Sequence, residues 1–336
     1  MTEPVDWALA LATGVRTAPS GPHISPTQAA HTVSVLTQSA RTARDPVADI
    51  TQMPVPDTQP AVIVDRSEWV RSNTQSLRSV LVLAPPIENP GTLHALTSKA
   101  NAIQLGLVLG WMSGKVLGQY EVLTMADEPQ RLLLVAPNLV SAGRALGLTD
   151  HRDFFLWVCL HEETHRVQFT AFPWLVPFLR DAMTTMVTDL DVGPGELSAR
   201  ITSAIRSPDR GAPMGWVQSP EVRALMLKVL ALMSLLEGHA DWVMDQSADV
   251  VASARELRVA FDRRRRPAGV LDLVLRRALG LEAKMAQYRE GAAFVRAVVA
   301  AVGVPGLNRA WISPDTLPSM TEINDPAAWV RRVGAG

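Results

Sequence analysis

The stretch WVCLHEETHRVQF, residues 157–169, decides how the chain is read. It carries two of the seven histidines, four residues apart, with a glutamate directly after the first. Phe154 and Val158 recur at helical spacing, and His161 and His165 continue their stripe, so the segment reads as a helix with both imidazoles facing inward. One turn apart on one face, the two rings can reach a single zinc ion at about 2.0–2.1 Å. Glu162 projects about 100° away, placed to hold a water on that ion and to act as its general base. Two inward histidines hydrogen-bonded within a core are the plain alternative.

A catalytic zinc site needs three protein ligands and an open position. Cys159 lies two residues before His161 and points elsewhere, so it reads as a small core residue; as the single cysteine it excludes an intrachain disulfide. A third ligand comes from PEVRALMLKVLALMSLLEGHADWVMD, residues 220–245. There Val222, Met226, Val229, Met233, Glu237, Ala240, Asp241 and Met244 share one helix face, so two carboxylates interrupt an apolar stripe. A buried carboxylate needs a partner. Zinc satisfies Glu237, and Asp241, one turn on, can accept the free N–H of a liganding histidine. An arginine partner for either carboxylate is the alternative. His239, two residues from Glu237, falls on roughly the opposite face and is the less favoured ligand.

The rest of the chain sets the frame. Most long segments show helical periodicity, so the fold class is mainly α, with at most a small β element at RLLLVAP, 131–137. One domain is expected over 1–336. Helices are expected at 26–43, 66–83, from Asp150 as N-cap through the HEETH segment, and at 178–190. Further helices are expected at 220–246 (opened by Ser219-Pro220-Glu221), 252–264, 269–278 and 281–302. WISPDTLPSMTEINDP, 311–326, reads as loop before a short last helix. AIQLGLVLGWMSGKVLG, 102–118, has glycine at 106, 110, 114 and 118, but Gln104 and Lys115 interrupt it. It reads as a core helix with a close-packing edge rather than a membrane span.

With 47% hydrophobic and 19% charged residues the chain can build a sizeable core, and a formal charge of −1 gives no electrostatic footprint for nucleic acid. The leading MTEPVDWALALATGVR lacks the basic start and long apolar run of a signal peptide, so a cytoplasmic protein is expected.

WVCLHEETHRVQF, LLEGHADWVMD and KMAQYREGAAFV together resemble the zincin-like metallopeptidase type 2 family of actinobacteria. Within it they resemble the subgroup associated with biosynthesis of the deazaflavin coenzyme F-420. The resemblance runs from VDWALALATG to NDPAAWVRRV, nearly the whole chain. It implies a mostly helical, zincin-like metallohydrolase domain with zinc on His161, His165 and Glu237 and with Glu162 as general base. The Glu-x-x-x-Asp spacing of 237 and 241 is similar to that of thermolysin-like gluzincins, where the aspartate supports a zinc histidine. Two departures stand out. His165 and Glu237 are 72 residues apart, against a few tens in many gluzincins, and Glu163 places a charge inside the motif.

Tyr288 and Arg289, in AQYREG, are candidates to stabilise an oxyanion, with an interhelix hydrogen bond as the tyrosine's alternative role. Arg263 to Arg266 read as a solvated helix end. The strand candidate precedes the site helix, as the substrate-binding edge strand does in ordinary zincins, so an extended peptide could add to it. The expected function is a zinc-dependent peptidase or amidase acting on a peptide or amide substrate, with no nucleic-acid or membrane partner. The alternative is a zinc-stabilised, catalytically idle binding or scaffold protein linked to deazaflavin coenzyme metabolism.

Overall fold

Leu132–Val135, the short apolar run expected near 131–137, is buried along its whole length, and its neighbours explain why. In the computed structural model, which describes residues 3–55, 59–81, 94–124, 128–148, 150–189, 219–264 and 281–334, it is the central strand β3 of a three-stranded sheet in the order β1-β3-β2. β1, Val62–Val64, runs parallel to it with Val62 opposite Leu133. β2, Gly118–Tyr120, runs antiparallel with Gln119 opposite Leu133. The expectation that 131–137 is an edge strand open to a peptide is therefore corrected: both of its ladders are taken by the chain itself. The described remainder is helical or irregular, so the fold is mainly α.

The chain divides into two compact units, each drawn from separated segments. The first takes its described residues from Met1–Thr37, Pro60–His151 and Met183–Trp216. Its helix α1, Trp7–Thr17, is capped by Asp6, whose Oδ1 accepts from Leu9 N at 3.0 Å. It crosses the helix His94–Ser113 backbone to backbone: a Cβ on Gly106 would stand 2.6 Å from the Ala10 carbonyl oxygen. That is the glycine edge expected at 102–118, on a helix that starts earlier and stops at Ser113. Trp69 and Val70 of the helix Arg66–Leu81 pack with Val64, Leu109, Leu133 and Val135 beneath the sheet.

A buried arginine ties the chain ends of these elements together. Arg66 Nε donates to Asn138 Oδ1 at 2.7 Å, and its Nη1 donates to the carbonyls of Pro19 and Ser20. Asn138 in turn donates to Ser113 O and Val116 O.

The second unit takes its described residues from Gln38–Gln59, Arg152–Ala182 and Val217–Gly336. Two helices organise it, here termed the HEETH helix, Arg152–Ala171, and the acidic helix, Pro220–Asp245. The acidic helix packs on the HEETH helix and on a third, Leu281–Asn308. The second crossing has no side chains between the backbones, since a Cβ on Gly291 would stand 1.9 Å from Ser234 O and one on Gly238 would stand 2.2 Å from Gly291 C. Leu281–Asn308 turns at Gly303, whose φ of 72° is natural for glycine alone, with Pro305 just after it. Among the described residues Glu290–Trp311 is the stretch long and apolar enough to cross a membrane by length and composition, and this turn interrupts it.

Other boundaries shift in detail. The HEETH helix begins at Arg152, and Asp153 is engaged elsewhere, accepting from Ser253 N and Oγ at 3.1 and 2.7 Å. The expected loop 311–326 contains a short helix, Met320–Asn324, opened by a capping box between Ser319 and Glu322. The helix expected at 269–278 lies outside the described residues.

Candidate metal centre

Residues Phe154, Trp157, Val158 and Leu160 bury the HEETH helix and aim His161 and His165 off its partly open side. The acidic helix starts where expected, at Ser219, whose hydroxyl accepts from Val222 N, with Pro220 and Glu221 in its first turn. Its register brings Glu237 to the two imidazoles. His161 Nε2 and His165 Nε2 are 3.2 Å apart, and Glu237 Oε2 lies 3.5 Å from the first and 4.0 Å from the second. All three ligand atoms fall within 4.8 Å of one another. Zinc bonds of about 2.0–2.1 Å at tetrahedral angles would place ligand atoms roughly 3.3–3.4 Å apart. The donor set, two imidazoles and one carboxylate, therefore fits a zinc ion in chemistry and in spacing.

The electrostatics point the same way. Burial opposes charge on His161, but the Glu237 carboxylate, with Glu162 and Asp241, outweighs it and holds this ring's pKa above the ordinary value. Burial, with the neighbouring charge of His161, pushes His165 down. Glu162 is buried, and burial, with Glu237 adding to it and His161 opposing, lifts its carboxyl to about 7. A carboxyl tuned there can take and return a proton at neutral pH.

Glu163, the charge inside the motif, faces away from the imidazoles. It is fully buried with Arg166 at 3.3 Å and Arg44 at 3.9 Å, and burial raises its pKa against the pull of both arginines. Cys159 is fully buried, and burial raises its thiol pKa strongly, as suits a core residue. Asp241 Oδ1 accepts from Arg258 Nη1 at 3.1 Å, and that guanidinium also meets Asp245 at 2.8 Å and lies over the Trp157 ring. The arginine alternative thus applies to Asp241, alongside the influence this carboxylate exerts on His161. The side chains of Tyr288, Arg289 and Arg263 to Arg266 lie outside the described residues.

One partner of the site was not anticipated. Gln168 Oε1 lies 2.9 Å from His165 Nδ1, its Nε2 donates to Leu236 O at 3.1 Å, and that nitrogen lies 3.0 Å from His239 Nδ1. His239 stays out of the three-ligand cluster. It is fully buried against Trp242 and Trp311, and burial lowers its pKa to about 3. The signal for Gln168 was available: 161, 165 and 168 are spaced four and three, one helix face.

Two imidazoles from one helix and a carboxylate from a second, beside a buried glutamate, make up the ligand arrangement of a zincin-type metal centre. The sequence profile of the zincin-like metallopeptidase family matches residues 5–330, and the chain belongs to that family. Among solved structures, it is similar to a crystal structure from Chloroflexus aurantiacus described as that of a provisionally assigned hydrolase with a novel fold. The identity is 30%, 99% of each chain is covered, and the TM-score is 0.69. A comparison with functionally curated proteins gives no match.

Proposed function

We propose that the protein is a zinc-dependent amide hydrolase, a peptidase or amidase, with Glu162 as its general base. The observation that supports this most is the convergence of His161 Nε2, His165 Nε2 and a Glu237 oxygen within 4.8 Å, on a chain of this family. Bound zinc supplies a Lewis acid that polarises the amide carbonyl and acidifies a water molecule. The chain supplies the rest. His161, His165 and Glu237 hold the ion. Glu162, poised near neutrality by its burial, takes the proton of the attacking water and returns it to the leaving amine. Asp241, held by Arg258, is assigned to orient a ligand histidine, and Tyr288 or Arg289 to stabilise the oxyanion. The resemblance of LLEGHADWVMD and KMAQYREGAAFV to the deazaflavin-associated subgroup supports an amide of that coenzyme's metabolism as substrate class, in the cytoplasm.

The test is metal analysis of the purified protein with a peptide-library cleavage assay, on wild type and Glu162→Gln. The variant should keep zinc and lose about 10²- to 10⁴-fold in turnover, the range a positioned base contributes. Undiminished turnover with zinc bound would remove Glu162 from the role. Failure of wild type to hold zinc would remove the site.

A further inference from the structure

The hydrogen bonds around Gln168 determine where two ring protons sit. The Leu236 carbonyl can only accept, and Gln168 Nε2 stands 3.1 Å from it. The amide nitrogen therefore faces that carbonyl and Oε1 faces His165 Nδ1, 2.9 Å away. An amide oxygen can only accept, so Nδ1 carries the proton, and the His165 lone pair is left on Nε2. That is the nitrogen 3.2 Å from His161 Nε2 and 4.0 Å from Glu237 Oε2. The second amide proton points at His239 Nδ1, 3.0 Å away, so this ring must carry its own proton on Nε2. Gln168 and His239 are both fully buried, and Trp242 stacks on the His239 ring with an interplanar angle of 11°, so neither group is free to turn over.

We propose that Gln168 is a positioning residue that sets the tautomer of His165 and, through Leu236 and His239, ties that ring to the helix bearing Glu237. The proposal rests on the metal-centre reading above. Leu236 directly precedes Glu237, and His239 follows it by two, so one side chain from the HEETH helix grips the acidic helix on both sides of its ligand. A ring donor locked by an outer partner keeps a metal-ligating imidazole in one orientation and raises its basicity. Here that partner is an amide from the same helix, three residues on.

The full-length chain can be tested directly. In metal-free wild type, long-range proton–nitrogen spectra of the imidazole rings should show His165 protonated at Nδ1 and His239 at Nε2. Protonation of His165 at Nε2 overturns the proposal, and this reading does not depend on zinc. Affinity for zinc alone, measured by competition with a chromogenic chelator, should fall about 10- to 100-fold in Gln168→Met, which keeps the length but no acceptor. Gln168→Glu retains an acceptor for Nδ1 but sets a second oxygen against Leu236 O. It should melt earlier than wild type while holding zinc within a few-fold of it. Wild-type affinity in Gln168→Met, or a loss in folded Gln168→Glu equal to that in Gln168→Met, overturns the proposal. Absence of zinc uptake by wild type removes the metal centre, while the ring spectra still decide the role of Gln168.

Discussion

Two buried polar clusters in this protein use similar parts and end differently. Around Arg66, the guanidinium and the Asn138 amide send their protons into carbonyls and an amide oxygen of the same chain. At each of these contacts a donor meets an acceptor. Around His161, the His165 Nδ1 proton goes outward to Gln168, while the two ring Nε2 atoms and the Glu237 oxygen turn toward one another. Two imidazole nitrogens and a carboxylate oxygen crowd one point. In a low-dielectric interior the first arrangement stabilises a fold, whereas the second is satisfied by a cation. The way the polar atoms face, more than their burial or their count, separates the two clusters.

The comparison can be broken in several places. The largest effect should come from Gly291→Ala, where a Cβ would stand 1.9 Å from Ser234 O in the frame that carries Glu237. Overpacking on this scale costs about 3 kcal/mol or more, a fall of roughly 4 °C or more in Tm, and calorimetry should show it together with weakened zinc uptake. Arg66→Met should cost about 3 kcal/mol by leaving the Asn138 oxygen and two carbonyls without their charged donor. Its zinc affinity should equal that of wild type; a tenfold loss would end the distinction between the clusters. Zinc at a hundredfold excess over its Kd should raise wild-type stability by about 2.7 kcal/mol, and a chelator should remove the gain. In Glu237→Gln that gain should vanish while the metal-free Tm shifts by only a few degrees.

The smallest effect belongs to a third, surface cluster. Arg332 grips Glu322 at 2.6 and 2.9 Å and holds its carboxyl below the ordinary range. Because the folded pKa is the lower one, this stabilisation is present above the unfolded carboxyl's pKa and is lost as pH falls through the folded value. The acid limb of a stability–pH curve should be shallower in Glu322→Gln, and the two proteins should converge once Glu322 is protonated.

The residues that declared themselves in the sequence were those whose neighbours repeat. Ser219-Pro220-Glu221 opens a helix 26 residues long, and its inward stripe is broken at Glu237, one of the three groups that converge. Leu132–Val135 was visible as an apolar run, but its central place was not. Val62–Val64 and Gly118–Tyr120 are three residues each, too short for any period to show. Ser319 and Glu322 spelled a capping box, masked by prolines on either side. Gln168 shares the face of the two histidines, but what it grips was hidden for another reason. A neutral amide on a helix looks like a solvated residue until a second helix supplies Leu236 O and His239, 68 and 71 residues away in the chain.

The glycine crossing has a consequence for how this protein can vary. Gly238 follows Glu237, and its backbone rests on that of Gly291 with nothing between that could be repacked. Core side chains nearby can change in size while this backbone contact keeps the height of the carboxylate along its helix. The contact works as a fixed ruler: it is blind to the choice of leucine, valine or methionine around it and intolerant of a single methyl group at its own two marks.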